Sequence, residues 1–122
     1  MEKTEFTHRL YEAKKSLPHT NFNYEELKNL CKQSIEKSPD IEPKPGTRNL
    51  IIAMEELNEL SQQVSKFVRG RGDYICLVEE IADVLLVMEY IYSCCGIDEK
   101  DVVAALEVKK NFLKERLDKG CY

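Results

Sequence analysis

The stretch that decides the fold is residues 73–95, DYICLVEEIADVLLVMEYIYSCC, which Gly96 follows. It contains no proline, and its apolar residues recur at the spacing of an α-helix, about 100° per residue. The sequence therefore predicts a helix that begins near Asp73 and ends near Cys95, with the glycine as its stop. Apolar side chains lie on nearly every side of this helix, so we expect several neighbours to cover it.

Two carboxylates lie within the apolar sector of this helix. Glu80 and Asp83 are three residues apart, so they lie one above the other on a single face. Taking a carboxylate out of water is costly unless it is paired, protonated or bound to a metal ion. No lysine or arginine occurs in residues 72–99 to pair with them. The apolar residues that share their sector are Cys76, Leu77, Val84, Val87 and Ile91.

The preceding segment predicts a second helix with the same property. It spans about residues 47–68 and contains Glu55, Glu56 and Glu59, while residues 49–65 have no basic side chain. Two antiparallel helices joined by a short turn bring Glu56 and Glu59 against the acidic pair of the first helix. Four carboxylates without an internal cation repel one another strongly at low dielectric. A hard divalent ion with oxygen ligands, Mg²⁺ or Mn²⁺, would relieve this repulsion.

Other readings of these acids depend on residues that the chain largely lacks. An acidic string on a helix is commonly a solvated face, and this stays the alternative to a metal site. Di-iron bundles need Glu-x-x-His pairs, but the two histidines, His8 and His19, lie outside the two acidic helices. Structural zinc sites need clustered Cys or His ligands, and the five cysteines include no Cys-x-x-Cys pair. Carboxylate ligands alone favour Mg²⁺ or Mn²⁺.

The rest of the chain predicts further helices and one linker. Asn23 is a suitable cap for a helix over residues 24–37, and Asp98 for a last helix that ends near Asp118. Residues 38–46 hold three prolines and a glycine, which predicts an extended linker. We therefore expect one all-α domain, a helical bundle of about four helices. Its two parts are residues 1–46, an N-terminal helix or extension and proline-rich linker, and residues 47–122, the helical core.

Composition and charge exclude several classes of function. The chain has 122 residues and a net charge of −4, which argues against a chain-wide basic surface for nucleic acid. Acidic residues within its most apolar segment argue against a membrane span, and the first residues lack the apolar core of a signal peptide. An odd number of cysteines fits reduced thiols in a cytoplasmic protein. Since one chain leaves much apolar surface uncovered, we expect a homodimer or homotetramer.

The acidic residues also carry a family resemblance. Glu55-Glu56-x-x-Glu59, then 20 residues, then Glu80-x-x-Asp83 resembles the EExxE…ExxD signature of the all-α nucleoside triphosphate pyrophosphohydrolases. The sequence around the motif is similar to small MazG-like proteins of phages and prophages, over about residues 48–117. The resemblance implies cleavage of a nucleoside triphosphate between the α and β phosphates. It also implies that Glu56, Glu59, Glu80 and Asp83 bind Mg²⁺, and that Glu55 orients or deprotonates the attacking water or supports a metal ligand.

Basic residues complete the implied site. Small MazG-like proteins often carry a lysine and, seven residues on, an arginine in the last helix, for contact with the triphosphate. Lys109 and Arg116 stand at that spacing, and Lys66 is a further candidate near the end of the predicted helix over residues 47–68. A solvated basic face at a helix C-terminus is the alternative. The alternative function is a non-catalytic helical interaction or regulatory module that keeps the MazG-like fold.

Overall fold

A computed structural model describes residues 3–16, 22–38 and 46–121, and within these ranges the chain is all-helical, with no strand. This confirms the all-α prediction, but the described residues form five helices rather than about four. The additional helix is α1, which lies in a polar segment whose apolar residues give only a weak helical period. The helices are α1 (Lys3–Ser16), α2 (Tyr24–Lys37), α3 (Thr47–Val68), α4 (Tyr74–Cys95) and α5 (Glu99–Asp118).

Side-chain caps fix where three of the helices begin. The carboxamide oxygen of Asn23 accepts a hydrogen bond of 2.9 Å from a backbone amide in the first turn of α2. Asp73 accepts bonds of 2.9 and 3.2 Å from the first turn of α4, and Asp98 accepts one of 2.9 Å from α5. These bonds satisfy amides that have no partner inside the helix. Gly96 ends α4 in the left-handed conformation, at φ 65°, as the sequence predicts.

Helix α4 is the centre of the fold. It packs against α3 over the largest contact and also against α2 and α1. The Ser34 hydroxyl of α2 lies 3.3 Å from the Tyr90 hydroxyl of α4. Three apolar side chains are fully buried among the described residues, and they are Cys31, Ala53 and Val87.

The start of α3 approaches the end of α4 closely. Gly46 has φ 85°, which favours glycine. A Cβ placed on Gly46 would lie 2.8 Å from Cys94 Sγ, so two independent constraints select glycine here. The predicted proline-rich linker over residues 38–46 lies, apart from its two end residues, outside the described residues.

Helix α5 extends from this core with almost all of its surface exposed. Glu99 and Val102, both in the first turn, are its only half-buried residues. It is therefore not the packed fourth member of a closed bundle. None of the five cysteines forms a disulfide. No helix in the described part of the chain has both the length and the apolar character needed to cross a bilayer.

Candidate metal centre

Three carboxylates converge where α3 and α4 pack together. Glu56 comes from α3, and Glu80 and Asp83 come from successive turns of one face of α4. One oxygen of each lies within 4.8 Å of an oxygen of the other two, and all three residues are half-buried. The helix contact predicted from the i, i+3 spacing therefore brings these three side chains to one place.

Burial and mutual repulsion disfavour the ionised forms of these groups. Burial, followed by the charges of Glu56 and Asp83, raises the pKa of Glu80 to about 7. Burial also raises the pKa of Glu56, and the charge of Asp83 adds to this effect. The pKa of Asp83 is raised by burial as well. Without a cation, the cluster therefore retains protons at a pH where exposed carboxyl groups are ionised.

The Glu80 carboxyl has an oxygen with no partner. Its Oε2 atom is shielded from solvent and makes no hydrogen bond, which is costly for a buried acceptor. No lysine or arginine of the described residues forms an ion pair with any of the three carboxylates. Three clustered carboxylates with an unsatisfied oxygen fit a small divalent ion, because Mg²⁺ and Mn²⁺ prefer oxygen ligands. The donor set does not fit a site that needs sulfur or imidazole.

The remaining acids of the α3 motif lie beside the cluster. Glu59 is exposed and is not one of the three converging side chains. Its charge nevertheless raises the pKa of Glu56 and Glu80, so it lies near enough to act on them. Glu55 is also exposed and contributes in the same direction to Glu56. Both residues therefore lie at the solvent edge of the site rather than within it.

The predicted phosphate-binding cations do not reach the cluster within one chain. Lys66, Lys109 and Arg116 are exposed, and no lysine or arginine side chain affects the pKa of the three carboxylates. Lys109 and Arg116 lie on the projecting helix α5, far along it from its covered first turn. The structure therefore does not test the predicted contact of these side chains with a triphosphate, and this contact stays a prediction.

Asn49 is a buried polar residue that the sequence reasoning missed. It is 1% exposed, and its Nδ2 atom has no hydrogen-bond partner. It lies seven residues before Glu56, and therefore on nearly the same face of α3. The signal that could have found it is a polar side chain on the same face of α3 as Glu56, the face that packs against α4.

No protein-family model, curated protein or solved structure matches the chain. A chemical assignment therefore rests on the carboxylate geometry and on the sequence motif that carries it.

Proposed function

We propose that the chain is a Mg²⁺-dependent nucleoside triphosphate pyrophosphohydrolase, which produces a nucleoside monophosphate and pyrophosphate. The observation that carries this proposal is the convergence of Glu56, Glu80 and Asp83 around an unpartnered oxygen. The motif that contains them, with its likeness to the MazG-like proteins, supplies the reaction class. The geometry supports a divalent-ion site, and the motif supports the identity of the substrate.

In this mechanism, Glu56 of α3 and Glu80 and Asp83 of α4 would hold the ion, and Glu59 at the solvent edge would complete the ligand set. When bound there, Mg²⁺ would supply positive charge to the phosphate oxygens and would lower the pKa of the attacking water. Water attacks a phosphorus atom of the α–β anhydride, the bond from that phosphorus to the bridging oxygen breaks, and the other phosphate group leaves with the bonding electrons. Glu55, exposed beside the site, orients the water or accepts its proton.

The test is a panel of ribo- and deoxyribonucleoside triphosphates with Mg²⁺ and, separately, Mn²⁺, with pyrophosphate as the readout. We expect release from at least one substrate and a loss of at least about 100-fold in Glu80→Gln, because the glutamine removes a ligand charge. Glu79→Gln is the matched control, since it alters the adjacent acid that is not part of the cluster. The proposal would be contradicted if no pyrophosphate were released with either Mg²⁺ or Mn²⁺, or if Glu80→Gln and Glu79→Gln released it at equal rates.

The exposed surface of α5 favours a second candidate, an interaction module without catalysis. A protein of this kind would release no pyrophosphate from any triphosphate, and its melting temperature would not respond to Mg²⁺. The same panel, combined with thermal melts, therefore separates the two candidates.

A further inference from the structure

Helix α5 carries an apolar seam that is exposed and that no described helix covers. Val103, Leu106, Lys110, Leu113 and Leu117 follow the 3, 4, 3, 4 spacing of coiled-coil core positions. The first two are 65% exposed and the two later leucines 46% and 48% exposed. We call these five residues the α5 seam. Four large apolar side chains in one exposed row indicate a surface that a partner buries.

An apolar groove lies on the outer face of α4, the face turned away from the carboxylate cluster. Its volume is about 550 Å³, which is large enough for several side chains. It runs between the start of α2 and the middle of α4. Its apolar lining includes Phe22, Tyr24, Leu27, Leu85, Met88 and Tyr92.

The rim of this groove carries two carboxylates and one lysine, from Glu89, Glu99 and Lys28. Lys28 Nζ lies 2.9 Å from a carboxylate oxygen of Glu99 and 3.9 Å from one of Glu25. Glu89 lies near this group, since the charges of Glu99 and Lys28 both act on its pKa, which burial raises. The lining of the groove thus has one carboxylate more than lysine. Glu25 lies in a neighbouring hollow that is also lined by Lys32 and Lys100. The rim has a surplus of negative charge that a basic partner would balance.

The seam is flanked by the opposite charge. Lys109, Lys114 and Arg116 form no ion pair within the described residues, whereas Lys110 pairs with Glu107 at 2.6 Å. Three uncompensated cations therefore border the apolar row. Charge complementarity between the seam and the rim of the groove is direct.

Pairing of α5 with another α5 is disfavoured by the same charges. In a parallel coiled coil, Lys109 faces Lys114 of the other helix across the seam. In an antiparallel coiled coil, Lys109 of one helix faces Arg116 of the other, so these two cations repel each other. Glu107 faces Lys114 on the other side of the seam and offsets this repulsion only in part. The seam therefore matches an acidic apolar groove better than it matches itself.

The seam does not return to the groove of its own chain. The ion pair of Lys28 with Glu99 holds the first turn of α5 beside that groove. A straight helix of 20 residues is about 30 Å long, so the seam projects away from its own groove. In a second copy of the chain, an identical groove can lie where the α5 seam reaches it.

The exposed area is in keeping with a second copy. The accessible surface of the chain is 9710 Å². A compact monomer of this mass, 14.2 kDa, exposes about 6,800 Å². The surplus of about 2,900 Å² includes the exposed surface of α5, and a stable interface buries ~800 Å² per partner.

We propose that the α5 seam of each copy packs into the apolar groove of a second copy, reciprocally about a two-fold axis. The chain is then a homodimer with exchanged α5 helices, in which each seam meets the acidic rim of the other copy. This interface does not depend on the hydrolase proposal, since the groove and the carboxylate cluster lie on different faces of α4.

Photo-crosslinking tests the interface in the full chain. Leu113→p-benzoylphenylalanine is prepared in ¹⁴N and ¹⁵N forms, which are mixed, irradiated and digested for mass spectrometry. We expect mixed-isotope crosslinks to the groove-lining segments of α2 and α4. Crosslinks to another α5, crosslinks only within one copy, or no crosslinked dimer would each overturn the proposal. Hydrolysis is not measured here, so failure of the catalytic proposal would leave this result unchanged.

Light scattering provides the second measurement. Wild-type protein at micromolar concentration should have at least twice the 14.2 kDa mass of one chain. Leu113→Glu should weaken association about 30-fold or more, as expected for a central interface residue. Val108→Glu is the matched control, because Val108 is similarly exposed, at 50%, but lies on the opposite side of α5. Circular dichroism checks that both variants keep their helices. A monomeric wild type, or equal effects of the two substitutions, would contradict the interface.

Discussion

Replacing Glu80 with glutamine should stabilise the metal-free protein at alkaline pH. The pKa of Glu80 rises from 4.5 to about 7 through burial and the charges of Glu56 and Asp83. At about 1.4 kcal/mol per pKa unit, ionising this group in the folded state costs up to about 3 kcal/mol at pH 8. Water at the open side of the cluster screens part of this cost, and we expect a gain of about 1–2 kcal/mol from the neutral amide.

Thermal unfolding in EDTA, followed by circular dichroism, measures this gain. At pH 8 the Tm of Glu80→Gln should exceed that of the wild type by about 3–8 °C for a chain of this size. The folded-state pKa lies above the unfolded one, so protonation of Glu80 stabilises the folded protein. That stability is complete below pH 4.5 and is lost as the pH rises through about 7. The difference between variant and wild type should therefore vanish near pH 4 and level off above about pH 8.

Mg²⁺ should reduce or reverse the difference in Tm between Glu80→Gln and the wild type. An ion that binds only the folded wild type raises its Tm by mass action, whereas glutamine at position 80 offers one anionic ligand fewer. Glu79→Gln, the matched control, should respond to Mg²⁺ as the wild type does. A lower Tm for Glu80→Gln than for the wild type in EDTA at pH 8 would refute the reasoning. An equal rise in the Tm of Glu80→Gln and of the wild type on addition of Mg²⁺ would also refute it.

Two further predictions concern stability, and urea unfolding measures both. Asn49→Leu should stabilise the protein by about 1 kcal/mol, because it removes a buried amide nitrogen without a partner; a loss of stability would mean that this nitrogen is satisfied. Gly96→Ala should cost about 1 kcal/mol, because it places a side chain at positive φ with open space around it. Gly46→Ala should cost at least about 1 kcal/mol more, since its Cβ also meets Cys94 Sγ. Equal costs at the two glycines would exclude that contact.

Local signals in the sequence were sufficient to predict most of the fold. The caps at Asn23 and Asp98 and the stop at Gly96 act over three or four residues, so they can be identified without knowledge of tertiary contacts. The apolar pattern predicts α2, α3 and α4 to within a residue or so of their observed ends. The segment of α1 is predicted only as a helix or an extension, because an exposed polar helix has no apolar stripe to reveal it.

The candidate site could be predicted in part. The i, i+3 spacing was sufficient to place Glu80 and Asp83 on one face of α4, and the short turn brings Glu56 to them. Spacing alone did not separate Glu59, which lies at the solvent edge, because that depends on how the two helices are rotated about their axes. The position of α5 was also unpredictable from one chain, since an amphipathic pattern indicates that a face is buried but does not identify what covers it.

The most direct test of the central claim is ³¹P NMR of the reaction of a nucleoside triphosphate with the wild-type protein and Mg²⁺. We predict equal amounts of nucleoside monophosphate and pyrophosphate, absent from the Glu80→Gln reaction and present in the Glu79→Gln reaction. Formation of nucleoside diphosphate and inorganic phosphate, or an unchanged triphosphate spectrum across the nucleotide panel, would contradict the claim.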